Sequence, residues 1–225
     1  MRTPKPSGIT KKTHHRKAGS YDRQAGHRPM AKRILIVCEG EKTEPNYFRA
    51  LRRKLQLHLV EVEIKEKAGP PISLVTTAEK IVNSHKTGDK FDEVWCVLDR
   101  EGKHLNPTFT EALQQAQRLT YKLAVSNPAF EFWYVLHFET TTRIFANGEE
   151  VKTYLRKHIP EYEEKMAVWS LLEEKTATAI ENSKQLLKTH PCKEDDFPNP
   201  STYVHVLVEE LIEMSPSGRV HYLRN

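Results

Sequence analysis

Two five-residue apolar runs, Ile34–Cys38 and residues 94–98, each lead straight into a carboxylate, Glu39 and Asp99. An apolar run without alternation reads as a strand buried on both faces, and such strands belong to parallel sheets covered by helices on either side. The chain around them keeps a strand–helix rhythm. After the first run, Thr43 is placed to cap a helix with Pro45 in its first turn and Phe48, Leu51 and Leu55 on one stripe. Val60, Val62 and Ile64 alternate with Glu61, Glu63 and Lys65, the pattern of a half-exposed edge strand. Ser73 is placed to cap a second helix through Leu74, Ala78, Ile81 and Val82, and a helix over 111–119 leads to a short strand at 123–125.

This order predicts an α/β fold, a three-layer sandwich around a four-stranded parallel sheet of order 2-1-3-4. Residues 130–138 read as a buried helix. Beyond them the spacing predicts a long amphipathic helix carrying Trp169, Leu172, Ile180 and Leu187, a polar loop over 191–200, and a last helix starting at Asn199-Pro200-Ser201-Thr202. The expected organisation is a basic arm over 1–30, an α/β domain over 31–140 and a helical C-terminal part over 141–225.

Composition sets the limits. With 38% hydrophobic and 29% charged residues in 225, the chain can build a core, and no apolar stretch is long enough for a membrane-spanning helix. The basic N-terminus has no continuous apolar segment, so no secretory leader is expected. Cys38, Cys96 and Cys192 lack CxxC or metal-finger spacing, which points to a reduced, cytoplasmic setting, with Cys38 and Cys96 as core residues. Residues 1–30 carry eight cations against Asp22 alone, a net +7, while the whole chain sums to +5. The other 195 residues are therefore slightly acidic, at −2, and the basic character belongs to the arm. Lys11, Lys12, Arg16 and Lys17 cluster there and are the expected phosphate contacts of a nucleic-acid partner.

In a doubly wound sheet, ligands bind beyond the carboxyl ends of the strands where the winding reverses. Order 2-1-3-4 puts the ends of the first and third strands side by side, so Glu39 faces Asp99 and Glu101. Asp99 and Glu101 are two residues apart and point the same way if the strand geometry persists. Carboxylates gathered in this way repel one another unless a cation neutralises them, and hard oxygen ligands suit Mg²⁺ or Mn²⁺. Glu131, in the first turn of the apolar helix, is a further candidate ligand, favoured there by the helix dipole. Glu41 and Glu44 are weaker candidates because acids at a helix start often only cap it. Lys42 is placed to stabilise phosphate charge. Arg100 is expected to turn away from the metal, while Lys103 and His104 are candidates for substrate contact.

The segment from Ile34 to Glu44, a strand followed by Glu39-Gly40 and a helix, resembles the first motif of Toprim domains, and Asp99-Arg100-Glu101 resembles their second, DxD. More closely, EGEKTEPNYF (39–48), SNPAFEFWYVLHFE (126–139) and the NPST block at 199–202 resemble the RloB-like family, a Toprim-containing relative of the OLD-type nucleases. The resemblance implies a metal-dependent nuclease, an endonuclease cutting phosphodiester bonds in RNA or DNA. Its implied setting is prokaryotic antiphage defence or restriction, often beside an ABC-like ATPase, with tRNA among the implied targets. Carried over, Glu39 matches the motif-one Glu and serves as ligand or general base, and Asp99 matches the first Asp of DxD. Glu101 stands where the motif has Asp, one methylene longer. The resemblance also brings Asn199, Ser201 and Thr202 near the active site. The contrasting reading is a non-catalytic Toprim-like protein that binds nucleic acid or regulates an ATPase partner.

Deleting residues 1–30 is expected to leave the thermal melt of the remaining chain intact. Nucleic-acid affinity should fall and its dependence on salt should flatten, as measured by fluorescence anisotropy across a salt series, because that segment holds most of the unbalanced positive charge. An unchanged salt slope would reduce the segment to a solubilising extension.

Overall fold

The computed structural model describes residues 32–64, 70–85, 90–100, 107–190, 197–215 and 222. The basic segment with Lys11, Lys12, Arg16 and Lys17 lies outside the described residues, as do Glu101, Lys103 and His104.

The first apolar run is strand β1 (Ile34–Cys38), buried along its whole length because it pairs in parallel on both edges. On one side lies β2 (Val60–Ile64) and on the other β3 (Glu93–Asp99), with Ile36 registered between Val62 and Trp95. β4 (Lys122–Asn127) continues the parallel sheet beyond β3. Helices α1 (Thr43–Leu55), α2 (Pro71–Ser84) and α3 (Pro107–Arg118) make the crossovers.

Strand alternation separates the core into two layers. Ile34, Ile36, Trp95 and Val97 face Phe48 and Leu51 of α1, and their cluster continues into α4 (Glu131–Leu136), α5 (Gly148–Leu155), α6 (Trp169–Leu172), α7 (Thr176–Thr189) and α8 (Val204–Met214). Leu35, Val37, Cys96 and Leu98 face Leu74 and Ala78 of α2 and Ala112 and Ala116 of α3. The small residues of α2 and α3 let both helices lie close to the sheet.

The α/β class and the order 2-1-3-4 stand, but the sheet has five strands. A two-residue strand β5 (Ser201–Thr202) pairs antiparallel with β4, Ser126 opposite Thr202 and Asn127 opposite Ser201, giving β2-β1-β3-β4-β5. Two polar residues give no periodicity, and their side chains read equally well as helix caps. The last helix consequently starts at Val204 rather than at Asn199. The long helix expected from Trp169 onward is broken by a 3₁₀ turn over Glu173–Lys175 between α6 and α7. Among the described residues no helix is long and apolar enough to cross a membrane.

Phe48 is fully buried between the sheet and α4, in edge-to-face contact with Tyr47 and Phe130. Phe48→Ala is expected to cost about 3–5 kcal/mol in urea unfolding, the range for emptying a large aromatic site. A loss below about 1 kcal/mol would mean that the core closes over the gap.

Candidate functional site

The pairing of β1 with β3 carries on past the strands and places two of the carboxylates. The Glu39 N–H donates to the Val97 carbonyl at 3.1 Å, and the Asp99 N–H donates back to Glu39 Oε2 at 3.3 Å. Glu39 and Asp99 are thus adjacent at the carboxyl end of the sheet. α1 then turns Glu44 inward, where its Oε1 accepts the Gly40 N–H at 3.1 Å. Gly40 is needed for this approach, since a Cβ there would lie 2.2 Å from Glu44 Oε2. Glu131 opens α4 and is buried, with the hydroxyls of Tyr162 and Thr43 donating to its Oε1 at 3.2 and 3.5 Å. The Tyr134 hydroxyl, donating to the Thr43 carbonyl at 3.1 Å, ties α4 to the start of α1.

These groups line a cavity of about 280 Å³ that Asp99, Glu44 and Glu131 share with Lys42, Lys152 and Glu164. Lys152 is paired with Glu149 at 2.9 Å and with Glu164, and its charge also acts on Glu131. Burial pushes the Asp99 carboxyl well above the usual range, and the charges of Glu44, Glu131 and Glu39 push it further. Burial likewise raises Glu44 to about 7, with added repulsion from Glu131 and Glu39, and it raises Glu131.

Asp99 Oδ1 is completely buried and accepts no hydrogen bond among the described residues. A buried carboxylate oxygen without a donor is costly, and among acids it is relieved by a bound proton or by a cation. The donor set is all oxygen, which fits Mg²⁺ or Mn²⁺. Among the described residues no group of three or more Asp, Glu, His or Cys side chains is arranged to hold a metal ion. Mg²⁺ is commonly held by only one or two carboxylates, with waters and substrate phosphate completing the shell.

Of the sequence-predicted residues, Glu39, Asp99 and Glu131 come together, and exposed Lys42 sits at the cavity wall. Glu44, ranked low as a capping residue, both caps Gly40 and faces Asp99. Glu41 lines the cavity from its exposed side. Arg100 turns to the far side, donating to the Phe197 carbonyl at 3.0 Å and lying over the Phe109 ring. Asn199 exchanges hydrogen bonds with the Phe145 backbone at 2.7 and 3.0 Å, and Ser201 and Thr202 are buried in β5; none of the three lines the cavity. Cys38 and Cys96 are buried, and burial holds both thiols protonated, with Cys96 pushed up to about 12. Lys152 and Glu164, which line the cavity, and Tyr162, which bonds Glu131, were not legible as site residues, because they come from a helix and loop more than 100 residues beyond β1.

A family model, RloB-like protein, matches residues 34–211. No curated protein and no solved structure matches the chain.

The raised carboxyls make stability depend on pH. In the unfolded chain these groups titrate near 4, so between about pH 4 and 7 the folded state holds more protons and loses stability as pH rises. Glu44→Gln keeps an oxygen for the Gly40 N–H but cannot ionise. Its advantage over wild type in metal-free buffer is expected to grow from pH 5 to pH 8, reaching about 1–3 kcal/mol in urea melts. A gap constant across that range would show that Glu44 ionises normally in the fold.

Proposed function

The chain belongs to the RloB-like family, and from that membership and the cavity at the sheet's carboxyl end we propose a metal-dependent nuclease that hydrolyses phosphodiester bonds in RNA or DNA. The observation that carries the reading is the donorless, buried Asp99 Oδ1 amid Glu39, Glu44 and Glu131. The Toprim-like motifs around Glu39 and Asp99 support it, because both residues stand at the switch point where such folds bind ligands.

Asp99 is the principal metal ligand in this reading. Bound Mg²⁺ or Mn²⁺ supplies polarisation of the scissile phosphate and a water of lowered pKa. Glu39, held by the Asp99 N–H, is positioned to share the ion or to accept the proton of the attacking water. Glu44 and Glu131 form the floor of the cavity, and Gly40 keeps its approach open. Lys42, at the cavity wall on an exposed loop, stabilises the charge that develops on the phosphate oxygens. Glu101 completes the DxE pattern from the segment after β3. The family setting extends the proposal to cytoplasmic antiphage defence or restriction with an ABC-like ATPase partner, and to tRNA among the targets.

Incubating the purified chain with mixed tRNA, rRNA and single- and double-stranded DNA, with Mg²⁺ or Mn²⁺, tests the activity. Cleavage is expected to be stronger with Mn²⁺, which tolerates the longer Glu101 better than Mg²⁺ does. Asp99→Asn should lower it at least about 100-fold while the melting temperature without metal stays level or rises. A chain that binds Mn²⁺ and cuts none of these substrates would favour the non-catalytic, regulatory role.

A further inference from the structure

A second depression lies further along α1 than the carboxylate cavity. Lys42 lines the cavity, and one, two and three helical turns further on Asn46, Arg49 and Arg53 line a groove of about 220 Å³ along α1. The spacing of four, three and four residues puts all of them on one helix face. The facing segments are close in sequence too: Glu164 borders the cavity, and Met166 and Trp169, two and five residues later, border the groove. No acidic side chain among the described residues lines it. Arg53 is exposed and makes no ion pair among the described residues, whereas neighbouring Lys54 is paired with Glu173 and Arg52 donates to the Leu57 and His58 carbonyls. This basic face is a local concentration of charge, because the chain outside residues 1–30 is slightly acidic.

We propose that this groove carries a single strand of nucleic acid away from the carboxylate cavity, its phosphates along Lys42, Arg49 and Arg53 and a base against Trp169. The proposal rests on the nuclease reading for what happens at the cavity, but the binding it describes needs no cleavage. A basic track beside an aromatic wall is the recurring form of sequence-tolerant single-strand sites. Lys42 to Arg53 spans about 16 Å along the helix axis, room for about three phosphates of an extended strand. Of the three tryptophans, Trp95 and Trp133 are buried, so Trp169 alone is open enough to stack.

The test uses the full chain in EDTA, where no cleavage occurs, with a fluorescein-labelled oligouridylate and a labelled duplex of equal length as probes. The Arg49→Gln/Arg53→Gln variant is expected to bind the single strand about tenfold more weakly, with a salt slope lower by about 1.4, the release of two counterions. Arg53→Glu, altering only an exposed side chain, should weaken binding on its own. Binding should quench tryptophan fluorescence, and Trp169→Phe should remove that quench. Asp99→Asn should bind as well as wild type or better, so loss of cutting with binding intact separates a failed nuclease reading from a failed groove. Unchanged affinity and salt slope in both arginine variants would overturn the proposal, and so would equal losses on duplex and single strand.

Discussion

The parallel pairing of β1 with β3 is the interaction on which the rest depends. It is made by backbone hydrogen bonds between two buried apolar strands, and it ends in a reciprocal contact in which Glu39 reads Val97 and Asp99 reads Glu39. Because both strands are buried on both faces, a register slip of one residue would swap side chains between two differently packed core layers, so the two acids are fixed against each other by the whole core. Asp99 is thereby held where its own solvation is poor. The hydrophobic energy of the sheet sustains an electrostatic arrangement that the carboxylates would not adopt alone.

The C-terminal helices extend this principle. Glu131 is buried at the head of α4, and the Tyr162 hydroxyl, contributed from beyond α5, and Thr43 from α1 fix one of its oxygens. Lys152 approaches from α5, pairs with Glu149 and Glu164 at the rim and also attracts Glu131, but burial still outweighs it and keeps the Glu131 carboxyl raised. A divalent ion bound in the cavity, as proposed, would displace protons from these raised acids, so its affinity would rise with pH.

Much of this was readable from residue order. The unalternating runs before Glu39 and Asp99 were enough for the α/β class, for order 2-1-3-4 and for the juxtaposition of the two acids, because burial on both faces and the handedness of crossovers leave few alternatives. Glu44 was undervalued: a first-turn acid has the same local signature whether it faces water or a neighbouring strand, and the closeness of Gly40 decides which. β5 escaped because two residues have no period. Lys152, Tyr162 and the groove wall at Met166 and Trp169 escaped because tertiary packing alone brings them to α1, and nothing within their own segments marks them.

The central claim is that the buried, donorless oxygen of Asp99 is a cation ligand. Crystals grown in or soaked with Mn²⁺ test it most directly, through an anomalous difference map collected at the manganese edge. A single strong peak within coordinating distance of Asp99 Oδ1, with Glu39 or Glu131 sharing the ion and no such peak in Asp99→Asn crystals, is the expected result. Density for a proton-donating water on Asp99 Oδ1, with no anomalous signal in the cavity at saturating Mn²⁺, would contradict it.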